Sequence, residues 1–374
     1  MKALLRYPSF YFTVPMFVSC LVTLACFRLP DNYLPGIYLL AGVSAVFVVV
    51  DSVIQIRLPP GSTFAAMQFV GTREGLVAAV FGMIIIAFCL IDVTLFPIPL
   101  IVDPSSYATL EDGRAAIRHV SYMSWTLPPI ALLCLRNRTS RYLFILVGFI
   151  FPILVIDRNR LLAALFSTLV VLALRKKTTA PLPWVTIALL TTIVAATFSV
   201  LGIIRTGSLD FLPLPFSDFF QSSPPALKWL FLYASAGTYN FSAILAKNYH
   251  NADFLLNQLV PLRGSIATLG TDIPLDAQTI NVGTEYFPFL MALGWPGALG
   301  AILALYAMLV LSVTLLCWRI TPFLILIFLR MSYVCVMAPF APQAFTWSSF
   351  AFVLLCLLCH CFAITLPTAA TRYQ

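Results

Sequence analysis

Four arginines and a few acids and bases are the residues of this chain best suited to work on a charged substrate. Arg158 and Arg160 sit in the turn Asp157-Arg158-Asn159-Arg160, Arg205 follows an apolar run, and Arg263 comes late in a long polar segment. A guanidinium stays charged and presents a planar fork of donors that matches phosphate oxygens in pairs. Together the four could hold a pyrophosphate, whereas any single one could instead snorkel to headgroups or pair with an acid such as Asp157. Glu285, Asp272 and His250 are the groups able to take a proton from a hydroxyl. Glu285 stands out because it lies where the polar segment meets the next apolar run, where burial would tune it. Asp92 and Arg330 fall inside apolar runs, Arg330 ~15 Å deep at 1.5 Å per residue. Charge at that depth needs a polar partner, so each is expected to be the other's, as a structural intramembrane pair.

The elements that would position these groups are helices crossing a bilayer. Hydrophobic residues make up 61% of the 374 residues and charged residues 10%, with a mean hydropathy of +0.97. Soluble domains carry roughly a quarter charged residues. The apolar runs are continuous, without the two-residue alternation of a membrane β-barrel. An all-α, polytopic integral membrane protein is expected, with about ten transmembrane helices at ~20 residues each and one long loop. The run after Met1–Arg6 is of full span length and lacks a small-residue cleavage site, so no cleavable signal peptide is expected.

Residues 1–204 are read as seven spans: 9–27, 34–56, 76–102, 120–135, 142–156, 161–174 and 184–204. Residues 205–285 form the long loop, and 286–374 hold three more spans, 287–317, 322–340 and 345–366. Run 142–156 would cover only about 22 Å of a ~30 Å hydrocarbon core. Its turn, with Arg158 and Arg160, should therefore lie sunken inside a protein cavity. Ten spans put both termini on one side, together with twelve of the 22 basic residues, among them Arg57, Arg136, Arg138, Arg141, Arg175 and Arg319. By the positive-inside rule that side is the cytoplasm and the long loop is exported. The same rule accounts for the net charge of +8 without nucleic acid.

The exported loop carries four Lys/Arg against six Asp/Glu. Pro225 fits a helix start, with an interfacial helix over 226–232 ended by Gly237. Asn251 could cap a second short helix over 252–260, stopped by Pro261. Of nine cysteines none lies between Arg205 and Glu285, so this loop needs no disulfide. Cys356-Leu-Leu-Cys359-His360 matches the c-type haem pattern, but it lies within an apolar helix, where no haem would be attached. No phosphate-binding glycine loop, dinucleotide pattern or metal-ligand spacing appears, so neither cofactor nor metal is expected.

Several stretches resemble the bacterial oligosaccharide repeat-unit polymerases, the O-antigen polymerase (Wzy-type) family. They are the Asp157-to-Arg160 hairpin tip, Arg205-Thr-Gly207, and Leu232-Tyr-Ala-Ser-Ala-Gly237-Thr-Tyr-Asn240-Phe. The most telling is Asn281-Val-Gly-Thr284-Glu-Tyr-Phe-Pro-Phe-Leu-Met-Ala-Leu-Gly294-Trp-Pro-Gly297, leading into the next span. Leu293 departs from the family, which often has an aspartate before that glycine. The resemblance implies a metal-independent membrane glycosyltransferase at the periplasmic face of the inner membrane. A growing glycan would leave its undecaprenyl-pyrophosphate carrier and join a fresh lipid-linked repeat unit, building O-antigen, capsule or exopolysaccharide. Such a donor is already activated, and the arginines would stabilise the leaving pyrophosphate, with Glu285 or His250 as base. The implied partners are lipid-linked donor and acceptor, the bilayer, a chain-length regulator and a flippase. An O-antigen ligase would share the arginine-lined pocket. A transporter or flippase would instead show repeats and helices broken by Gly or Pro.

Overall fold

The computed structural model describes residues 4–59, 69–102, 114–175, 212–259, 273–277 and 282–366, with isolated positions between 185 and 209 and at 280. Arg205, Arg263, Asp272 and most of the seventh span lie outside the described residues.

Among the described residues the chain is all-helical, with one isolated bridge between Phe27 and Phe216. We number the helices α1 (Pro8–Cys26), α2 (Leu34–Ile54), α3 (Arg73–Leu95), α4 (Arg114–Ser121), α5 (Leu127–Cys134), α6 (Arg138–Leu154) and α7 (Arg158–Arg175). After these come α8 (Pro225–Lys247), α9 (Asp253–Leu259), α10 (Phe287–Trp318), α11 (Pro322–Met337) and α12 (Trp347–Thr365). Five described helical stretches are long and apolar enough to cross a membrane: Pro8–Cys26, Asp31–Ile54, Arg73–Val102, Phe287–Trp318 and Trp347–Thr365. Their outward faces are apolar, with Val53 76%, Leu95 67% and Trp318 85% exposed. Apolar surface on this scale fits lipid and not water, so the protein is membrane-embedded.

The bundle is built around α11. Every residue of this helix except Val336 is buried, as an element that is apolar all round must be. Helices α1, α3, α5, α7, α10 and α12 pack against it. Basic residues gather at one end of the bundle. There Arg6 Nε donates to the Leu58 carbonyl at 2.8 Å, Arg319 meets Glu74 at 3.4 Å and Arg73 reaches the Leu366 carbonyl. Arg175 and Arg141 bond the carbonyls of Leu132 and Leu135 beside them. At the opposite end lie the tip between α6 and α7, the C-terminus of α11 and the N-terminus of α12.

Two expectations about the loop are corrected or refined there. Helix α8 does not stop at Gly237 but runs unbroken from Pro225 to Lys247. A glycine inside a helix costs only about 1 kcal/mol relative to alanine, and here it permits close packing. A Cβ at Gly237 would stand 2.3 Å from the Pro339 carbonyl oxygen. Helix α9 forms as read, with Asn251 Oδ1 accepting from the Asp253 amide at 2.9 Å. Helix α10 carries a break at Gly294, with φ 68° and ψ −164°, a conformation open essentially to glycine alone.

The outer layer above α1 and α2 is aromatic. Phe27 stacks on Tyr239 at 4.4 Å, and Phe216 on Phe220 at 4.1 Å. Asp276 fastens the layer, accepting from Tyr33 Oη at 2.9 Å, Tyr239 Oη at 2.6 Å and Lys247 Nζ at 2.6 Å.

Candidate functional site

The hairpin of α6 and α7 has a half-buried tip that packs against α11. Asp157 Oδ1 caps α7, accepting from the Arg160 amide at 3.0 Å, which fixes the direction in which Arg160 leaves the helix. Asn159 is held from two sides. Tyr333 Oη on α11 donates to its carbonyl at 2.7 Å and bonds its Oδ1, and Gln343 Nε2 donates to that Oδ1 at 2.9 Å. Tyr333 is 2% exposed, so the tip rests on the most buried helix of the bundle.

Arg330 lies one turn before Tyr333 on the same face of α11 and is 6% exposed. Its Nε donates to Ser349 Oγ at 3.3 Å and its Nη2 to the Gln343 carbonyl at 3.2 Å. Nη1 is buried without a hydrogen-bond partner. Arg160 approaches from α7, its guanidinium 4.6 Å from the Tyr122 ring centre and its Nε 3.7 Å from Asp157 Oδ2. The two arginines share a cleft of about 40 Å³ with His119, Tyr122, Trp125 and Ser348. His119 stands edge-on to Trp347 at 4.6 Å, and burial lowers its pKa. Arg158 is within electrostatic reach of Tyr233 and Asp157. Tyr233 is on α8, stacked on Phe340 at 6.3 Å. On the other face of α12 runs an apolar groove of about 300 Å³, bordered by Leu311, Met331, Ser349 and Val353.

Arg330 and Asp92 are not partners. Asp92 is claimed by two arginines from the stretch between the third and fourth spans read from sequence, and by Ser121 at the start of the fourth. Arg114 Nη2 reaches Asp92 Oδ1 at 3.1 Å, Arg118 Nε reaches Oδ2 at 2.7 Å, and Ser121 Oγ donates to Oδ2 at 3.1 Å. Arg114 and Arg118 are 4% and 2% exposed. The signal was in the sequence: Arg114, Arg118 and Ser121 have helical i, i+4, i+7 spacing and so share a face. Asp92 could not serve both this face and Arg330.

Glu285 is fully buried, and its carboxylate organises the loop between α11 and α12. Its Oε2 accepts from the backbone amides of Gln343 and, at 2.8 Å, Ala344, and its Oε1 from Phe345 at 3.0 Å. Burial pushes its pKa up to about 7, against the pull of the three amides and Arg330. So placed, Glu285 holds the loop that carries Gln343 to Asn159 and Arg330. His250 is exposed and lies beside Gly294, nine residues along the chain from Glu285. Thus the structure brings Arg160 and Arg330 together, with Arg158 and Glu285 close by, while His250 does not line their cleft. Tyr333, Gln343, Ser348 and Tyr122 complete the site; only Tyr333, three residues from Arg330, had a sequence signal.

No family model, curated protein or solved structure matches the chain.

Proposed function

We propose that this protein polymerises undecaprenyl-pyrophosphate-linked oligosaccharide repeat units at the outer face of a bacterial inner membrane. It would have ten spans, both termini in the cytoplasm and residues 205–285 exported. One observation carries the reading: the hairpin-tip arginine Arg160 meets Arg330 of the buried helix α11 in a polar cleft, at the end of the bundle opposite the basic one. Under the positive-inside rule the basic end is cytoplasmic, which makes the cleft periplasmic.

Breaking a glycosidic bond to a pyrophosphate carrier develops negative charge on the leaving group. Fixed guanidinium groups in the cleft stabilise that charge without reorganising. Arg158 and Arg160 act on the phosphates; Arg205 and Arg263, outside the described residues, are given the same role from the sequence alone. Since backbone amides occupy the Glu285 carboxylate, His119 is the base best placed for the acceptor hydroxyl, with a lowered pKa that keeps its imidazole neutral at pH 7. His119→Gln should then slow polymer formation and abolish its loss at acid pH; an unchanged pH profile removes the histidine from that role.

The break at Gly294 supports a transporter as the second reading, because broken helices line transport sites. The glycan ladder of cells lacking this protein separates the readings. Loss of polymer with a single capping repeat retained is expected of a polymerase. Loss of all capping would instead mean a ligase or flippase.

A further inference from the structure

Arg330 stands out among the buried charges of this protein. It is 94% buried, on a helix that is itself enclosed, and its guanidinium bonds only a hydroxyl and a carbonyl. No ion pair reaches it among the described residues. Glu285 is in electrostatic reach, but the amides of residues 343–345 engage both its oxygens. An unneutralised charge in a membrane interior costs several kcal/mol and persists where function requires it. Its Nη1 has no partner, and the residue lines a cleft together with Arg160, a second cation.

The cleft also has room for a ligand. A space of about 40 Å³ exceeds the ~10–15 Å³ that admits a water, so a small anion can enter it. Its lining offers donors of the kind a phosphate accepts from: the Arg330 and Arg160 guanidinium groups, the Ser348 hydroxyl and the His119 ring. Tyr122 forms one wall and holds Arg160 by cation–π contact at 4.6 Å.

We infer that Arg330 and Arg160 form a phosphate-binding subsite for one phosphate of a lipid-linked diphosphate, with Arg330 a ligand and not a structural residue. This rests on the proposed function for the identity of the lipid, while the anion site stands on the cleft alone. The ligand brings the charge that Arg330 lacks. Ser349 and the Gln343 carbonyl hold the fork in place beforehand, so little ordering remains to be done on binding.

The test is calorimetric titration of the purified full chain in detergent with inorganic pyrophosphate and, separately, farnesyl pyrophosphate. Both should bind, the farnesyl compound more tightly. Arg330→Gln should weaken both by about tenfold or more, the scale of one lost charge-assisted hydrogen bond, and Arg330→Lys should fall between. Ser348 is exposed in the first turn of α12, where a carboxylate is tolerated. Ser348→Asp should therefore fold and abolish binding by occupying the cleft with its own charge, which keeps the test decisive if Arg330→Gln is unstable. Arg138→Gln, at the basic end, should bind as the wild type does. Wild-type affinity in both Arg330→Gln and Ser348→Asp, or an equal loss in Arg138→Gln, overturns the subsite. Equal affinity for the two ligands overturns the lipid-linked assignment and leaves a free-phosphate site. A deletion strain with unaltered glycan would overturn the polymerase reading without touching these binding results.

Discussion

Two buried arginine clusters meet at the ring of Tyr122, one against Arg118 at 5.8 Å and the other against Arg160 at 4.6 Å. In the first, Asp92 gives both Arg114 and Arg118 an ion pair, and Arg114 also covers the Phe96 ring at 5.2 Å. Arg118 Nε and Nη2 both lack a well-formed hydrogen bond, yet its charge faces a carboxylate at 2.7 Å. In the second, Arg330 has dipoles for partners, a buried Nη1 without one, and a place in the wall of the cleft it shares with Arg160. The residue type and depth are alike, so neither separates structure from chemistry. What separates them is whether the chain supplies the counter-charge itself. The Asp92 cluster locks α4 onto α3, whereas the Arg330 cluster is built to receive something.

The largest effect should come from opening the closed cluster. Asp92→Asn leaves Arg114 and Arg118 without an anion and should cost about 3–5 kcal/mol, seen as lost folded protein in detergent. The exchange Asp92→Arg with Arg330→Asp should recover none of it. Recovery would mean that the two clusters communicate and that the comparison is false.

Next comes Glu285. Replacing it with Gln turns a donor toward the amides of residues 343–345 and should cost about 1–3 kcal/mol. The pH dependence has a definite sign. Its folded pKa, about 7, lies above the ordinary 4.5. The stability this residue contributes is thus complete below about 4.5 and is lost as pH rises through 7. A melting series from pH 4 to 8 should show that decline in the wild type and lose it in Glu285→Gln. The same profile in both would refute the linkage.

A smaller effect is expected from Asp276, where the outer segment is tied down. Burial works upward on its pKa, but the donors Lys247, Tyr239 and Tyr33 outweigh it and hold the carboxyl below its usual range. Its contribution is present above the ordinary carboxylate range and is lost as pH falls through the lowered value. The Lys247–Asp276 pair is a quarter to a third exposed, so water screens it, and Asp276→Asn should cost about 1 kcal/mol or less. Faster proteolysis between α8 and α10 would register the loss. Unchanged cleavage would show that the stacked rings hold the layer alone.

Much of the fold was legible because hydropathy and length act locally. Apolar runs of span length became α1, α2, α10 and α12, and the runs 142–156 and 161–174 became the hairpin of α6 and α7, whose tip packs against α11. What stayed hidden depended on tertiary approach. Gly237 reads as a breaker unless Pro339 is known to press against it. Glu285 reads as a base unless its three amide donors, some 60 residues further along, are in view. Asp92 and Arg330 looked like complements because both were solitary in sequence. The face shared by Arg114, Arg118 and Ser121 was the overlooked pattern.

The central claim, that Arg330 serves a ligand while Asp92 serves the fold, is tested most directly by measuring glycan chain length and membrane protein level together in Arg330→Gln and Asp92→Asn cells. Arg330→Gln should keep protein near the wild-type level, since it removes an uncompensated buried charge, yet make little or no polymer. Asp92→Asn should lose protein and polymer in parallel. Full-length polymer from Arg330→Gln at normal protein level would contradict the account.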